Sequence, residues 1–236
     1  MQHSWSRRKF IGTSGTAMAA GAAPAAALAA DAARPSAVRI VGVACSPRKG
    51  KTSAAALRAC LDAAKAASPS IEVELIELAG LSIPGGPAAG APLGPGEKDD
   101  FPQVMAALTD PRTAGIIVAT PVYFSGLSFL CKAFLDRLGA CRRNNFALAD
   151  KVGGVLSVGA VRNGGQELAI QAVQNALLCQ EMIIVGDGRP TAHTGATLLN
   201  PGTDDIAGDE FGLATAKNLG RRVAQVALRL AGLAAG

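Results

Sequence analysis

Residues 45–52 read Cys45-Ser46-Pro47-Arg48-Lys49-Gly50-Lys51-Thr52. How this octet is read decides the fold. The pattern G-x-x-x-x-G-K-[ST] is the phosphate loop of nucleotide-triphosphate enzymes, and the octet departs from it only at Cys45. Upstream, Val38 to Cys45 is a short apolar run with β-branched residues, which reads as a buried strand. Downstream, Leu57, Leu61 and Ala64 recur at helical spacing within Thr52–Ala67. The octet therefore joins a strand to a helix N-terminus, where backbone N–H groups and the helix dipole favour an anion. Ser46, Thr52 and Ser53 add hydroxyl donors, and Arg48 and Lys51 add charge. A triphosphate loop also needs glycine where Cys45 stands, and a strand ending in Asp to hold magnesium. The later strands end in Thr120-Pro121 and Ser157-Val158, and neither supplies that acid. A plain basic helix start remains the bland alternative for this loop taken alone.

The same reading continues along the chain. Ile71–Leu78 alternates apolar and acidic residues and predicts a second strand with one more polar face. Residues 79–96 are rich in proline and glycine and predict a loop, followed by a short helix over Phe101–Leu108. Ala114–Thr120, Lys151–Val158 and Met182–Gly186 predict strands three, four and five. Helices are expected over Leu127–Leu138, Gln166–Glu181 and Glu210–Ala231, with a loop from the fifth strand to Gly208. Strands alternating with helices imply an α/β fold, a three-layer doubly wound five-stranded parallel sheet of flavodoxin-like order 2-1-3-4-5. In such sheets the ligand lies outside the carboxyl ends of the strands, which brings together the loops 46–53, 121–126 and 159–165.

The second of these loops, Pro121-Val122-Tyr123-Phe124-Ser125-Gly126, places two of the chain's few aromatics at the expected crevice. They suit a flat ring system, although aromatics after a strand are more often core. The third, Gly159-Ala160-Val161-Arg162-Asn163-Gly164-Gly165, carries paired glycines that let backbone approach a ligand closely. Asn163 can cap the next helix or reach a ring edge. Arg162 offers donors to a carbonyl-rich heterocycle or to a negatively charged reduced ring. A glycine-rich turn with an N-cap is the structural alternative.

Composition narrows the function classes. With 49 % hydrophobic residues the chain can bury a sizeable core. Aromatics at 4 % leave little for base-stacking platforms, so a nucleic-acid partner is not expected. Ser6-Arg7-Arg8-Lys9-Phe10-Ile11 precedes an uncharged stretch from Gly12 to Ala30 that contains the A-x-A pattern Ala27-Leu28-Ala29. This resembles a twin-arginine export signal, so residues 1–30 are read as a signal peptide, residues 31–37 as a linker and residues 38–236 as the folded domain. Removing Arg7, Arg8 and Lys9 takes the formal net charge from +5 to +2. The Gly- and Ala-rich stretch is a poor bilayer span, so no stable membrane insertion is expected after signal removal, and the destination is periplasmic or extracellular. The five cysteines form no C-x-x-C, and with His3 and His193 far apart no metal spacing arises. They read as small buried hydrophobes.

Taken in register, "SPRKGKTS", "TPVYFSGLSFLCKAFLDR" and "VGAVRNGGQE" resemble the NAD(P)H-dependent FMN reductase family, which includes the iron–sulfur flavoproteins and related flavodoxin-like quinone reductases. The resemblance implies that Ser46, Arg48, Lys51, Thr52 and Ser53 hold the FMN phosphate. It implies that Pro121, Val122, Tyr123, Phe124 and Gly126 line the ring and ribityl chain, and that Gly159, Asn163, Gly164 and Gly165 border the pyrimidine end. Apart from the resemblance, Arg162 or N–H groups of the Gly164-Gly165 turn are expected to stabilise the anionic reduced ring. It also implies a homodimer or homotetramer with the helix Leu127–Leu138 as a contact. Iron–sulfur members carry clustered cysteines between the second strand and second helix. Ile83-Pro84-Gly85-Gly86-Pro87 has none, so FMN without an iron–sulfur cluster is expected.

The resulting expectation is an FMN-dependent oxidoreductase that moves two electrons to a small acceptor such as a quinone or flavin, with NAD(P)H as donor by resemblance. No acid–base residue is demanded by hydride transfer, and none is named. An exported enzyme would rarely meet NAD(P)H, so the physiological donor is expected to differ. An FMN-binding electron carrier or sensing module is the alternative from another class. A phosphate-transferring nucleotide enzyme is opposed by the missing acid and glycine. Beside the other two loops, the octet is read as a cradle for one terminal phosphate, with Cys45 an ordinary strand end.

Overall fold

The computed structural model describes residues 36–234. The export signal read at residues 1–30, and the linker up to Pro35, lie outside the described residues. Strands β1 (Val38–Ala44), β2 (Ile71–Glu77), β3 (Thr113–Pro121), β4 (Val152–Gly159) and β5 (Ile183–Ile184) form a parallel sheet in the order β2-β1-β3-β4-β5. The alternation of strands and helices required this, because parallel neighbours need crossover connections.

Alternate strand residues feed two cores. Ile40, Ile117, Ala119, Leu156 and Val158 face α1 (Thr52–Lys65) and α6 (Glu210–Leu230). Val41, Val43, Ile116, Val118 and Val155 face α2 (Phe101–Thr109), α3 (Phe129–Arg137) and α5 (Gln166–Leu178). A short α4 (Gly139–Arg143), not anticipated from the sequence, follows α3 and buries Cys141. The first core is close-packed because small residues admit the helices. A Cβ on Gly154 would stand 2.8 Å from Val223 Cγ2, and one on Gly42 2.8 Å from Leu61 Cδ1. A Cβ on Gly220 of α6 would land on the Cys60 carbonyl oxygen of α1.

The fifth strand position departs from expectation. The expected strand Met182–Gly186 shrinks to Ile183–Ile184, paired with Val152 and Gly153 at the start of β4. The chain then leaves the sheet and returns as β6 (Ala196–Leu199), parallel to Leu156–Gly159. Residues read as loop thus complete the same sheet edge, so the sheet has six strands in five positions. The reason is long-range: β6 is four residues long, and its strand character comes from pairing with β4.

The cysteines follow their expected role with one exception. Cys45, Cys60, Cys131 and Cys141 are buried free thiols, while Cys179 is exposed. Burial pushes the Cys141 thiol up to about 11, and that of Cys45 upward also, so neither is a ready nucleophile. No described helix is long and apolar enough to cross a membrane.

Candidate functional site

The three expected loops meet at the carboxyl ends of β1, β3 and β4. β1 hands over to the first loop through Cys45, whose N–H still pairs with Ala119 O at 2.8 Å. Ser46 is buried and its Oγ accepts from Arg48 N at 3.1 Å, bending the chain into a cradle. Gly50, at φ +68, turns its N–H to Glu77 Oε2 at 2.7 Å on the neighbouring strand end. Thr52 and Ser53 are buried in the first turn of α1. Lys51 is the N-cap residue and has no acceptor to offer, so no side chain caps the helix. An anion is the natural partner for these N–H groups.

One anion of the protein's own already pairs with the side-chain cations of this loop. Arg48 Nη1 donates to Asp204 Oδ1 at 2.7 Å, and Lys51 Nζ lies 3.2 Å from Asp204 Oδ2. Lys51 and then Arg48 hold the Asp204 carboxyl below the usual carboxylate range. Asn200 Oδ1 accepts from Asp204 N at 3.1 Å and supports the turn that presents it. Two cations that already hold a carboxylate, beside a helix start that no side chain caps, are the chemistry a phosphate would find, and the donor set fits FMN's terminal phosphate on that ground.

The second loop is a tight hairpin. Tyr123 and Gly126 exchange both backbone hydrogen bonds at 2.9 Å, and Val122 N donates to Val158 O at 2.9 Å. The two central residues, Phe124 and Ser125, have φ +49 and +62. Left-handed backbone is costly for a bulky side chain, so Phe124 is strained as well as fully exposed. Tyr123 is exposed, and Pro121 and Val122 are half-buried. Behind the hairpin, Ser128 Oγ donates to Cys45 O at 2.6 Å and accepts from Cys131 N at 3.0 Å, while its N–H donates to Thr120 Oγ1 at 3.1 Å. Ser128 thus caps α3 and ties the first two loops together. Sequence reasoning passed over it; a serine just before an apolar helical run was the available signal.

The third loop differs in detail from its reading. Asn163, at φ +59, is exposed and does not cap α5; the N-cap residue is Gly165, without a side-chain cap. Gln166 does the bracing: its Oε1 accepts from Gly164 N at 2.8 Å and its Nε2 donates to Val161 O at 2.8 Å. The glycines serve loop against loop. Gly165, at φ +104, is pressed on the second loop, where a Cβ would stand 2.6 Å from Ser125 Cα, and the side chain of Gln166 fills the space beside Gly159. Arg162 is paired with Asp209, which also accepts from Leu199 N at 2.6 Å and caps α6 through Gly212 N at 3.0 Å. Its guanidinium lies 5.9 Å from the Phe211 ring centre. Asp204 and Asp209, both from the segment after β6, were not anticipated: an aspartate just before the expected helix at Glu210 was an available N-cap signal for Asp209, but nothing in the local sequence marks Asp204.

The sheet order and the crevice at the switch between β1 and β3 define the class: a flavodoxin-like α/β protein. A family model described as NADPH-dependent FMN reductase matches residues 38–197, and the chain belongs to that family. Its chemistry is accordingly FMN-dependent oxidoreduction. The chain is 38 % identical over 194 residues to an iron-sulfur flavoprotein of Methanocaldococcus jannaschii, covering 80 % of this chain and 97 % of that protein. It is 35 % identical over 148 residues to an NAD(P)H dehydrogenase (quinone) of Geobacter sulfurreducens, covering 56 % and 71 %. A flavodoxin, WrbA-like protein from Agrobacterium tumefaciens shares the fold at TM-score 0.57 and 19 % identity, covering 82 % of this chain and 99 % of that one.

Proposed function

We propose that this chain holds FMN in the crevice of the three loops and moves two electrons through it to a small acceptor such as a quinone or free flavin. The observation that carries the reading is the cradle at the start of α1, where Ser46, Arg48, Lys51, Thr52 and Ser53 surround an uncapped helix end. In this reading those five residues bind the phosphate. Pro121, Val122, Tyr123, Phe124 and Gly126 border the ring and ribityl chain, and Gly159, Asn163, Gly164 and Gly165 border the pyrimidine end. FMN, when bound, supplies a ring that accepts a hydride equivalent and passes it on. The chain's part is placement and polarity: the hairpin offers Tyr123 and Phe124 as a flat apolar wall, and N–H groups of the Gly164-Gly165 turn, with Arg162, favour negative charge at the ring edge. No side chain is assigned a proton.

The segment between β2 and α2 supports a flavin site without an iron–sulfur cluster. It contains no cysteine. Arg137 of α3 anchors it instead, donating to Asp99 Oδ2 at 2.7 Å and to Pro84 O at 2.9 Å. Exposed Phe124 and Phe129 beside the crevice favour a homodimer or homotetramer in which a second subunit covers them. The paired Arg7-Arg8 favours export by the twin-arginine route, in which case a quinol or a redox protein, rather than NAD(P)H, feeds the site.

An absorption spectrum of the purified protein, then anaerobic titration with NADH, NADPH and a quinol, tests the reading. Yellow protein reduced by the quinol and turning over with a quinone supports it. Colourless protein that takes up no FMN overturns it. Bound flavin without turnover would instead favour an electron carrier.

A further inference from the structure

A second polar cavity lies at the other end of the sheet. It has a volume of about 670 Å³ and is roofed by residues 187–192, the excursion between β5 and β6, over the second half of α6. β5 pairs with the first residues of β4, and α6 ends at Leu230 beside Val38 and Thr113, so this cavity lies toward the amino ends of the strands. The flavin crevice is at the carboxyl ends.

The cavity is lined by Arg189, Arg221, Arg222 and Arg229 and by one carboxylate, that of Asp187. Asp187 is fully buried and spent inward: it accepts from the Thr191 hydroxyl and from His193 N–H. A hydrogen-bond chain then runs from the roof to the helix, anchored on buried Asp187 and Asn218 and ending at the exposed Arg221. The Thr191 hydroxyl donates to Asp187, Asn218 Nδ2 donates to Thr191 Oγ1 at 2.9 Å, and Arg221 donates to Asn218 Oδ1. Asn218 is only 3 % exposed. Gly188, at φ +73, brings backbone so close that a Cβ there would stand 3.3 Å from the stem of Arg222. A merely solvated helix face has no need of a buried asparagine that aims one guanidinium, nor of backbone laid against the stem of the next.

We propose that this cavity is a binding site for a compact, multiply charged oxyanion of the phosphate-ester or polyphosphate class. Guanidinium forks match phosphate oxygens in pairs, and four of them around one space repel one another until an anion enters. The volume falls within the roughly 300–1,000 Å³ of ordinary ligand pockets. The lining contains no aromatic ring, so recognition is of charge and not of a stacked base.

The test is calorimetric titration of the FMN-loaded full-length protein with inorganic pyrophosphate, so that the α1 cradle is already filled. One site per chain is expected, weakened by added salt. Arg221→Ala and Arg222→Ala should each lower affinity about tenfold. Arg143→Ala, an exposed arginine on α4, should leave it unchanged. Asn218→Ala removes no charge yet should weaken binding about threefold by freeing Arg221; Arg222→Ala, at a partly exposed side chain, keeps the test valid should the Asn218 variant fold poorly. Absence of binding, or equal losses in the Arg143 variant, would overturn the proposal. Binding of an acidic peptide but not of pyrophosphate would do the same and assign the face to a protein partner.

Discussion

The guanidinium of Arg48 and the carboxylate of Asp204, 156 positions apart in the chain, meet at 2.7 Å across the phosphate cradle. Asp204 therefore competes for the charges a phosphate needs. Asp204→Asn should tighten FMN binding by roughly two- to tenfold, the scale of exposed ion pairs, while leaving riboflavin, which lacks the phosphate, unchanged. Flavin fluorescence quenching with both ligands measures this. Weaker FMN binding in the variant would show that Asp204 holds the cradle together instead.

Phe124 bears left-handed backbone at the hairpin tip and buries nothing within the chain. At dilutions where the chain is monomeric and free of flavin, Phe124→Gly should therefore stabilise it by about 1 kcal/mol, raising Tm by roughly 2–4 °C for a domain of this size. The same substitution should weaken riboflavin binding, because the apolar wall is lost. A destabilised variant would contradict the assignment of strain.

Gly165 is where the second and third loops touch. Gly165→Ala puts a Cβ 2.6 Å from Ser125 Cα at a φ of +104, so overpacking and backbone strain add. A loss of about 2–4 kcal/mol in urea unfolding is expected. Gly208→Ala, where a Cβ meets open space, should be nearly neutral in the same measurement.

Asp99 and Arg137 set an acid limit. The Arg137 side chain holds the Asp99 carboxyl below its ordinary value, against a smaller opposing effect of burial. A carboxyl whose folded pKa is depressed stabilises the fold above its unfolded pKa of about 3.9, and the gain fades as pH falls through the folded value. Arg137→Met should thus lower Tm at pH 7, and the gap from the unsubstituted protein should narrow progressively as pH falls below the unfolded value of about 3.9. A gap of equal size at every pH would mean that Arg137 acts by packing on Phe101, 4.6 Å from its guanidinium carbon, and not by charge.

Much of the site was legible because its chemistry is local. Val38–Cys45 followed by Ser46-Pro47-Arg48 can be read as strand and anion-binding turn without knowledge of any partner, and the Tyr123-Phe124 pair and the 159–165 glycines mark two more strand ends. The uses of those residues were less legible. Gly165 turned out to accommodate Ser125 backbone, and Asn163 caps nothing. Arg162 is held by a carboxylate 47 residues away.

By itself, then, the sequence determined the alternation of strands and helices, hence the parallel sheet, its order and the end at which the loops converge. Those features follow from periodicity and from the handedness of crossover connections, which act over one element at a time. Only the tertiary structure decided that Ala196–Leu199 is a strand, that Asp204 answers the charges of Arg48 and Lys51, and that Asp187 and Asn218 aim Arg221 into a cavity. Each of these depends on groups distant in the chain being brought within hydrogen-bonding distance, and no local pattern encodes such a meeting.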